Sequence, residues 1–176
     1  PCYVEVDPSG RAVVAANYNG GSVVSYPIDG SGGLGEAATF IQHEGSSIGP
    51  RQSEAHAHCF KIADDGRFAF SADLGMDRVM IYALDAASGT LTPGEQAFAR
   101  VAPGEGPRHF TIAPNNSQAY VINEIGNTVT AFDYDAERGL LLERDTITTI
   151  PEGYDGTTHT ADLCLTPDGR FLYGSN

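Results

Sequence analysis

Phe60-Lys61-Ile62-Ala63-Asp64-Asp65-Gly66-Arg67, followed by an apolar run to Asp73 and then Arg78-Val79-Met80-Ile81-Tyr82, is one copy of a phrase that recurs along the chain. An upstream copy reads Val4-Glu5-Val6-Asp7-Pro8-Ser9-Gly10-Arg11, runs apolar to Asn17, and resumes at Ser22-Val23-Val24-Ser25-Tyr26. A downstream copy starts at Phe110-Thr111-Ile112-Ala113-Pro114-Asn115-Asn116-Ser117 and continues through Asn123 to Thr128-Val129-Thr130-Ala131-Phe132. Leu163-Cys164-Leu165-Thr166-Pro167-Asp168-Gly169-Arg170 opens a further copy. The turns at Gly10, Gly66, Asn116 and Gly169 therefore recur at roughly fifty-residue intervals, a period that belongs to propellers and related arrays.

Within each copy, alternating apolar residues broken by Pro, Asp, Asn and Gly read as short antiparallel strands joined by hairpins. No stretch carries the three-to-four-residue apolar spacing of a long amphipathic helix. The order is strand, hairpin, strand, turn, strand ending in Tyr or Phe, a turn recurring at Asp29 to Leu34, Asp85 to Leu91 and Asp135 to Leu140, and a fourth strand. Four strands in about fifty residues describe one propeller blade, so the fold class expected is an all-β propeller. The repeats divide the chain at approximately 1–56, 57–106, 107–159 and an incomplete 160–176. That makes about 3.3 blades, whereas closed rings have roughly four to eight. The expectation is a part of a longer propeller; the alternative is a short open array that associates with copies of itself, since repeat units need neighbours to bury their faces.

Composition agrees with a hairpin-rich β protein: Gly 21 and Pro 10 among 176 residues, 41% hydrophobic, no Trp. A net charge of -13, with Lys61 the single lysine, argues against a nucleic-acid or anionic-membrane surface. No apolar run approaches the length of a membrane-spanning helix. The odd number of cysteines, Cys2, Cys59 and Cys164, at or near strand positions suggests reduced thiols and a cytoplasmic home.

Two motifs invite a reading they do not sustain. Gly30-Ser31-Gly32-Gly33-Leu34-Gly35 spells G-x-G-x-x-G, but a dinucleotide site needs a helix to follow it. The next residues, Ala38-Thr39-Phe40-Ile41, read as strand, so the segment is expected to be a hairpin and no cofactor is implied. His56-Ala57-His58 places two imidazoles on one side of a strand. With no third ligand at suitable spacing, no metal site is expected.

Chemistry shows instead in the columns where the repeats disagree. Cys2, His58, Arg108 and Ala161 share one position at the start of the first strand, and Tyr3, Cys59, His109 and Asp162 share the next. In a propeller the first strand lines the central channel, so these positions ring its rim. Neighbouring columns such as Val4, Phe60, Phe110 and Leu163 stay apolar, as a core requires. At the end of the second strand the pairs are Asn17-Tyr18, Asp73-Leu74 and Asn123-Glu124. Glu124 and Arg108 are equidistant from the turn at Asn116, which places them opposite one another across the hairpin. An ion pair there could be structural alone; His58 one blade away at the same level favours a site.

Glu54-Ala55-His56-Ala57-His58, Gly104-Glu105-Gly106-Pro107-Arg108-His109, Val121-Ile122-Asn123-Glu124 and the closing Ala161-Asp162 to Asn176 segment closely resemble the lactonase family of seven-bladed propellers. The resemblance covers essentially the whole chain. It implies a seven-bladed ring of roughly twice this length and a sugar lactone hydrolase of the 6-phosphogluconolactonase kind. The alternatives are a lactonising carboxymuconate cyclase and a non-catalytic binding platform, since a fold alone does not settle function. The resemblance also implies a site of His58, Arg108 and Glu124, with His56 a second claimant to the histidine role, His109 beside Arg108, Asp162 positioning the site, and a further Arg beyond Asn176. A carboxylate paired with Arg is a poor base, so His58 is expected to activate water and Glu124 to hold Arg108. No G-x-S-x-G nucleophile motif is present, which disfavours an acyl-enzyme.

Overall fold

A computed structural model describes residues 1–176 as fourteen strands with no helix. The first sheet runs β1 (Tyr3–Val6), β2 (Ala12–Asn17), β3 (Ser22–Pro27) and β4 (Thr39–Gln42). The second comprises β5 (Ala57–Ile62), β6 (Phe68–Asp73), β7 (Arg78–Asp85) and β8 (Thr90–Arg100). The third comprises β9 (Pro107–Ile112), β10 (Gln118–Asn123), β11 (Thr128–Asp135) and β12 (Leu140–Thr148), and β13 (Leu163–Leu165) pairs with β14 (Leu172–Gly174). Every sheet is antiparallel with its strands in chain order, and the first strands β1, β5, β9 and β13 neighbour one another in succession. These are three propeller blades and the inner half of another, the all-β architecture the repeat implies. No helix is long and apolar enough to cross a membrane.

The turn residues explain the punctuation. Gly10, Gly66, Asn116 and Gly169, one per blade, all have φ between 52 and 72°. Such left-handed backbone is open to Gly and tolerable for Asn, which is why that column admits nothing bulkier. A second left-handed column precedes each third strand at Gly21, Asp77 and Asn127. Gly30 to Gly35 forms a tight loop closed by the Ile28–Leu34 bridge and by the Asp29 carboxylate, and it leads into β4 rather than a helix.

Second strands of the first two blades are buried on both faces, so they read as largely apolar runs, Ala12 to Ala16 and Ala69 to Ala72 with the buried Ser71 inside it, instead of alternating. Phe60 and Ile62 of the second blade pack on Val14, Ala16 and Val23 of the first. Phe70 stacks on Phe110 across the next blade boundary, with ring centroids 5.0 Å apart, in a cluster with Val79, Val121 and Phe132. All three cysteines are free thiols, but only Cys59 is buried; Cys2 and Cys164 are exposed, their blades lying at the two ends of the array.

The register of the inner strands departs from the expected symmetry. In the third blade His109 pairs with Ile122 and Pro107 with Asn123, leaving Arg108 as the extra residue of a β-bulge. Arg108 is therefore not opposite Glu124 in the ladder; Glu124 N–H reaches Gly106 O instead, at 2.7 Å. The second blade repeats the device: Ala57 pairs with Asp73 and Cys59 with Ala72, leaving His58 as the extra residue. An added residue bends the strand and re-aims its side chain, and here it turns the same column towards the rim in both blades.

Candidate functional site

Arg108 and Glu124 meet despite the bulge, Nε donating to Oε2 at 3.0 Å. The Arg108 guanidinium also donates from Nη1 to Ala161 O on the following blade and to His109 Nε2 at 3.3 Å. Held from three sides, it keeps Nη2 without a protein partner. The other oxygen of Glu124 is taken by Arg51 Nη1 at 2.6 Å. Glu124, whose side chain is 12% exposed, is thus clamped between two guanidinium groups.

His109 accepts the Arg108 bond because its other nitrogen is committed. Nδ1 lies 2.7 Å from Asp162 Oδ1, and a carboxylate can only accept, so Nδ1 carries the proton and Nε2 the lone pair. The hydrogen bond to His109 is the main influence holding the Asp162 carboxyl below the usual carboxylate range. His58 stands 5.4 Å from the His109 ring and 5.4 Å from the Tyr18 ring, edge to face with both, and its buried Nδ1 has no partner. Burial, then the nearby Arg108 and His109, depress its pKa to about 4. His56 stacks flat on Tyr18, centroids 4.5 Å apart, and donates Nδ1–H to Tyr18 O at 3.0 Å.

The fold thus brings together all six residues singled out in the sequence, His56, His58, Arg108, His109, Glu124 and Asp162. Two more complete the cluster. Tyr18 shares its repeat column with Glu124, and an aromatic hydroxyl at a rim position was the available signal. Arg51 lies in the long β4–β5 segment, outside the strands and hairpins on which the repeats align, so column comparison cannot reach it. Neighbouring Gln52 is completely buried and donates to Leu74 O at 2.8 Å and Asp77 Oδ1 at 2.7 Å, which anchors the segment while Arg51 crosses to the third blade.

Asp77 ties the two arginine-bearing segments together. Its carboxylate, 4% exposed, accepts from Ser47 and Gln52 ahead of β5 and from the Gly104 and Gly106 N–H groups ahead of β9, the last two at 2.7 Å. A separate buried set joins His43 Nδ1 to Asp73 Oδ2 at 2.7 Å and His43 Nε2 to the Tyr82 hydroxyl at 2.8 Å, and Asp73 also accepts the His56 N–H. The largest cavity, about 710 Å³, lies between the outer strands of the second and third blades around Tyr134 and Leu141, with no histidine in its lining. The clustered histidines, arginines and carboxylates lie at the rim instead.

The depressed His58 pKa has a consequence for stability. The fold keeps His58 neutral down to about pH 4, while an unfolded His takes up its proton near 6.5. Between those values the unfolded chain binds more protons, so this group makes stability fall as pH falls from about 6.5 to about 4. Groups facing it are Arg108, His109 and Glu124. Urea unfolding of His58→Gln should show a shallower loss of stability across this window than the parent; parallel pH profiles would contradict a neutral buried imidazole.

A propeller with a cationic rim site at its inner strands defines the class. The family model described as Lactonase, 7-bladed beta-propeller, matches residues 1–176, and the chain belongs to that family. It is 33% identical to the 6-phosphogluconolactonase of Bacillus subtilis over 100% of the chain and 49% of that relative. Among solved structures, the periplasmic gluconolactonase of Pseudomonas aeruginosa superposes with a TM-score of 0.91 at 31% identity, covering 99% of this chain and 49% of that one. A protein from Lactobacillus plantarum superposes at 0.92 with 31% identity, over 99% and 50% of the two chains. The chain spans about half the length of the curated relatives it matches.

Proposed function

We propose that the rim site hydrolyses a sugar lactone of the 6-phosphogluconolactone type. The observation that carries this is Arg108, immobilised by Glu124, His109 and Ala161 O yet with one guanidinium edge open. That edge can receive the lactone carbonyl oxygen and stabilise the negative charge it acquires. Relatives named as 6-phosphogluconolactonase and gluconolactonase support hydrolysis over the lactonising alternative. The three free thiols support a reducing, cytoplasmic setting.

In this proposal the base is His109 and not His58, the base the sequence suggests. His58, pushed to about 4, is neutral at ordinary pH but a weak proton acceptor. His109 has its tautomer set by Asp162, the arrangement in which a carboxylate supports a base, and its Nε2 lone pair faces Arg108 Nη1 at 3.3 Å, a contact that must open for Nε2 to take a proton from water. In the proposed reaction His109 takes a proton from the attacking water as its oxygen bonds to the carbonyl carbon. The ring C–O bond then breaks, and the proton passes to the departing ring oxygen. Glu124, occupied at both oxygens by arginine, holds the site rather than moving protons.

The test is the rate of acid release from 6-phosphogluconolactone followed at constant pH. The purified protein should exceed spontaneous hydrolysis by orders of magnitude. A rate no greater than the spontaneous one would overturn the lactonase reading.

A further inference from the structure

We propose that Arg51 and the Tyr18 hydroxyl form a second anion subsite at the rim, one that receives the phosphoryl end of the lactone while Arg108 holds the carbonyl end. This deepens the lactonase reading and rests on it.

The two cations are not equivalent. Arg108 is 23% exposed at its side chain and surrounded by acceptors of three different segments, whereas Arg51 is 43% exposed and faces solvent. Arg51 spends one fork nitrogen on Glu124 and the other on Tyr18 Oη at 3.2 Å, leaving Nε–H unpartnered. Tyr18 accepts that bond, so its own O–H remains free to donate. His56, stacked on the Tyr18 ring and committed at Nδ1, leaves Nε2 free on the same side chain. Convergent donors on a guanidinium and a hydroxyl suit a tetrahedral oxyanion.

Placement supports the same ligand. Glu124 holds Arg51 on one oxygen and Arg108 on the other, so the two guanidinium groups flank a single carboxylate, a spacing suited to the two ends of one small sugar. A dianionic substrate must approach a chain of net charge -13 and needs local cations. The remaining cations do not serve: Lys61 is paired with Glu5 at 2.6 Å, Arg138 and Arg144 pair with Glu95 and Asp133 on the outer strands, Arg11, Arg67 and Arg170 lie at the opposite hairpins, and Arg78 and Arg100 are taken up on the Phe98 ring at 4.3 and 5.0 Å. Glu124 alone does not require Arg51, since Arg108 already pairs with it. The buried Gln52 anchor beside Arg51 shows that the segment is held to present this side chain.

The experiment compares 6-phosphoglucono-δ-lactone with glucono-δ-lactone at fixed ionic strength, and separately titrates inorganic phosphate into the protein by calorimetry. Arg51→Gln, which can still hydrogen-bond Glu124, should lose kcat/KM roughly tenfold more heavily on the phosphorylated lactone than on the unphosphorylated one, mainly through KM. Tyr18→Phe should shift the ratio in the same direction by less. Phosphate binding should weaken by a similar factor in Arg51→Gln. Equal losses on both lactones, with phosphate binding unchanged, would make Arg51 merely a holder of Glu124 and overturn the subsite. If neither lactone is turned over by the parent protein, the lactonase reading fails while the phosphate titration still decides the subsite.

Discussion

Replacing Arg108 with alanine is expected to lower kcat/KM for lactone hydrolysis by about 10²- to 10³-fold, the range seen when one oxyanion donor is removed. The loss should fall on kcat, because the interaction strengthens only as charge develops on the carbonyl oxygen. The fold should survive: Glu124 retains Arg51, Ala161 O lies near solvent, and His109 retains Asp162. Lysine should not restore activity. Arg108 reaches Glu124, His109 and Ala161 O through a planar fork, and an ammonium on a flexible stem cannot serve three acceptors in that geometry and present a free edge as well. Full activity in Arg108→Ala would remove the site from this part of the rim.

The second large effect belongs to a residue that touches no substrate. Asp77→Asn is expected to destabilise the fold by about 2 to 3 kcal/mol, because an amide nitrogen would face N–H groups that now point at a carboxylate oxygen, and each buried donor left unpaired costs about 1 kcal/mol or more. Asp77→Ala should cost about 1 kcal/mol further, since φ of 53° there is tolerable for Asp or Asn but strained for Ala. Urea midpoints of the three proteins give this ordering directly. Both variants should also lose lactonase activity in their folded state, because Asp77 fixes the segments that carry Arg51 and Arg108. Unchanged stability in Asp77→Asn would mean that water replaces the carboxylate without loss.

The blade is legible in the sequence because its determinants are local. Turns at Gly10, Gly66, Asn116 and Gly169 need left-handed backbone, and deeply buried second strands need largely apolar runs, so each repeat spells its own geometry. The site is legible only where repeats can be compared. His58, Arg108 and Glu124 stand out because equivalent positions carry different chemistry. Arg51 does not, since the β4–β5 segment lies outside the aligned strands and hairpins, and its contact with Glu124 emerges only when that segment is folded across to the third blade. Likewise the symmetric pairing of Arg108 with Glu124 holds for side chains but not for the ladder, because one inserted residue leaves no mark on the apolar pattern around it. The choice between His58 and His109 as base depends on which imidazole meets a carboxylate, a contact that crosses to the next blade and has no local signature.

Those inserted residues have a further consequence for how such a ring can diversify. A residue lying outside the ladder has no backbone partner across the hairpin, so its side chain answers to contacts at the rim, as Arg108 does to Glu124, and not to the packing that ties its neighbours to the blade interior. Two blades place a rim side chain, His58 or Arg108, at that loose stitch. Substitution there changes what the mouth of the channel can grasp without re-threading the sheet, so the scaffold can be inherited intact while its chemistry is rewritten one blade at a time.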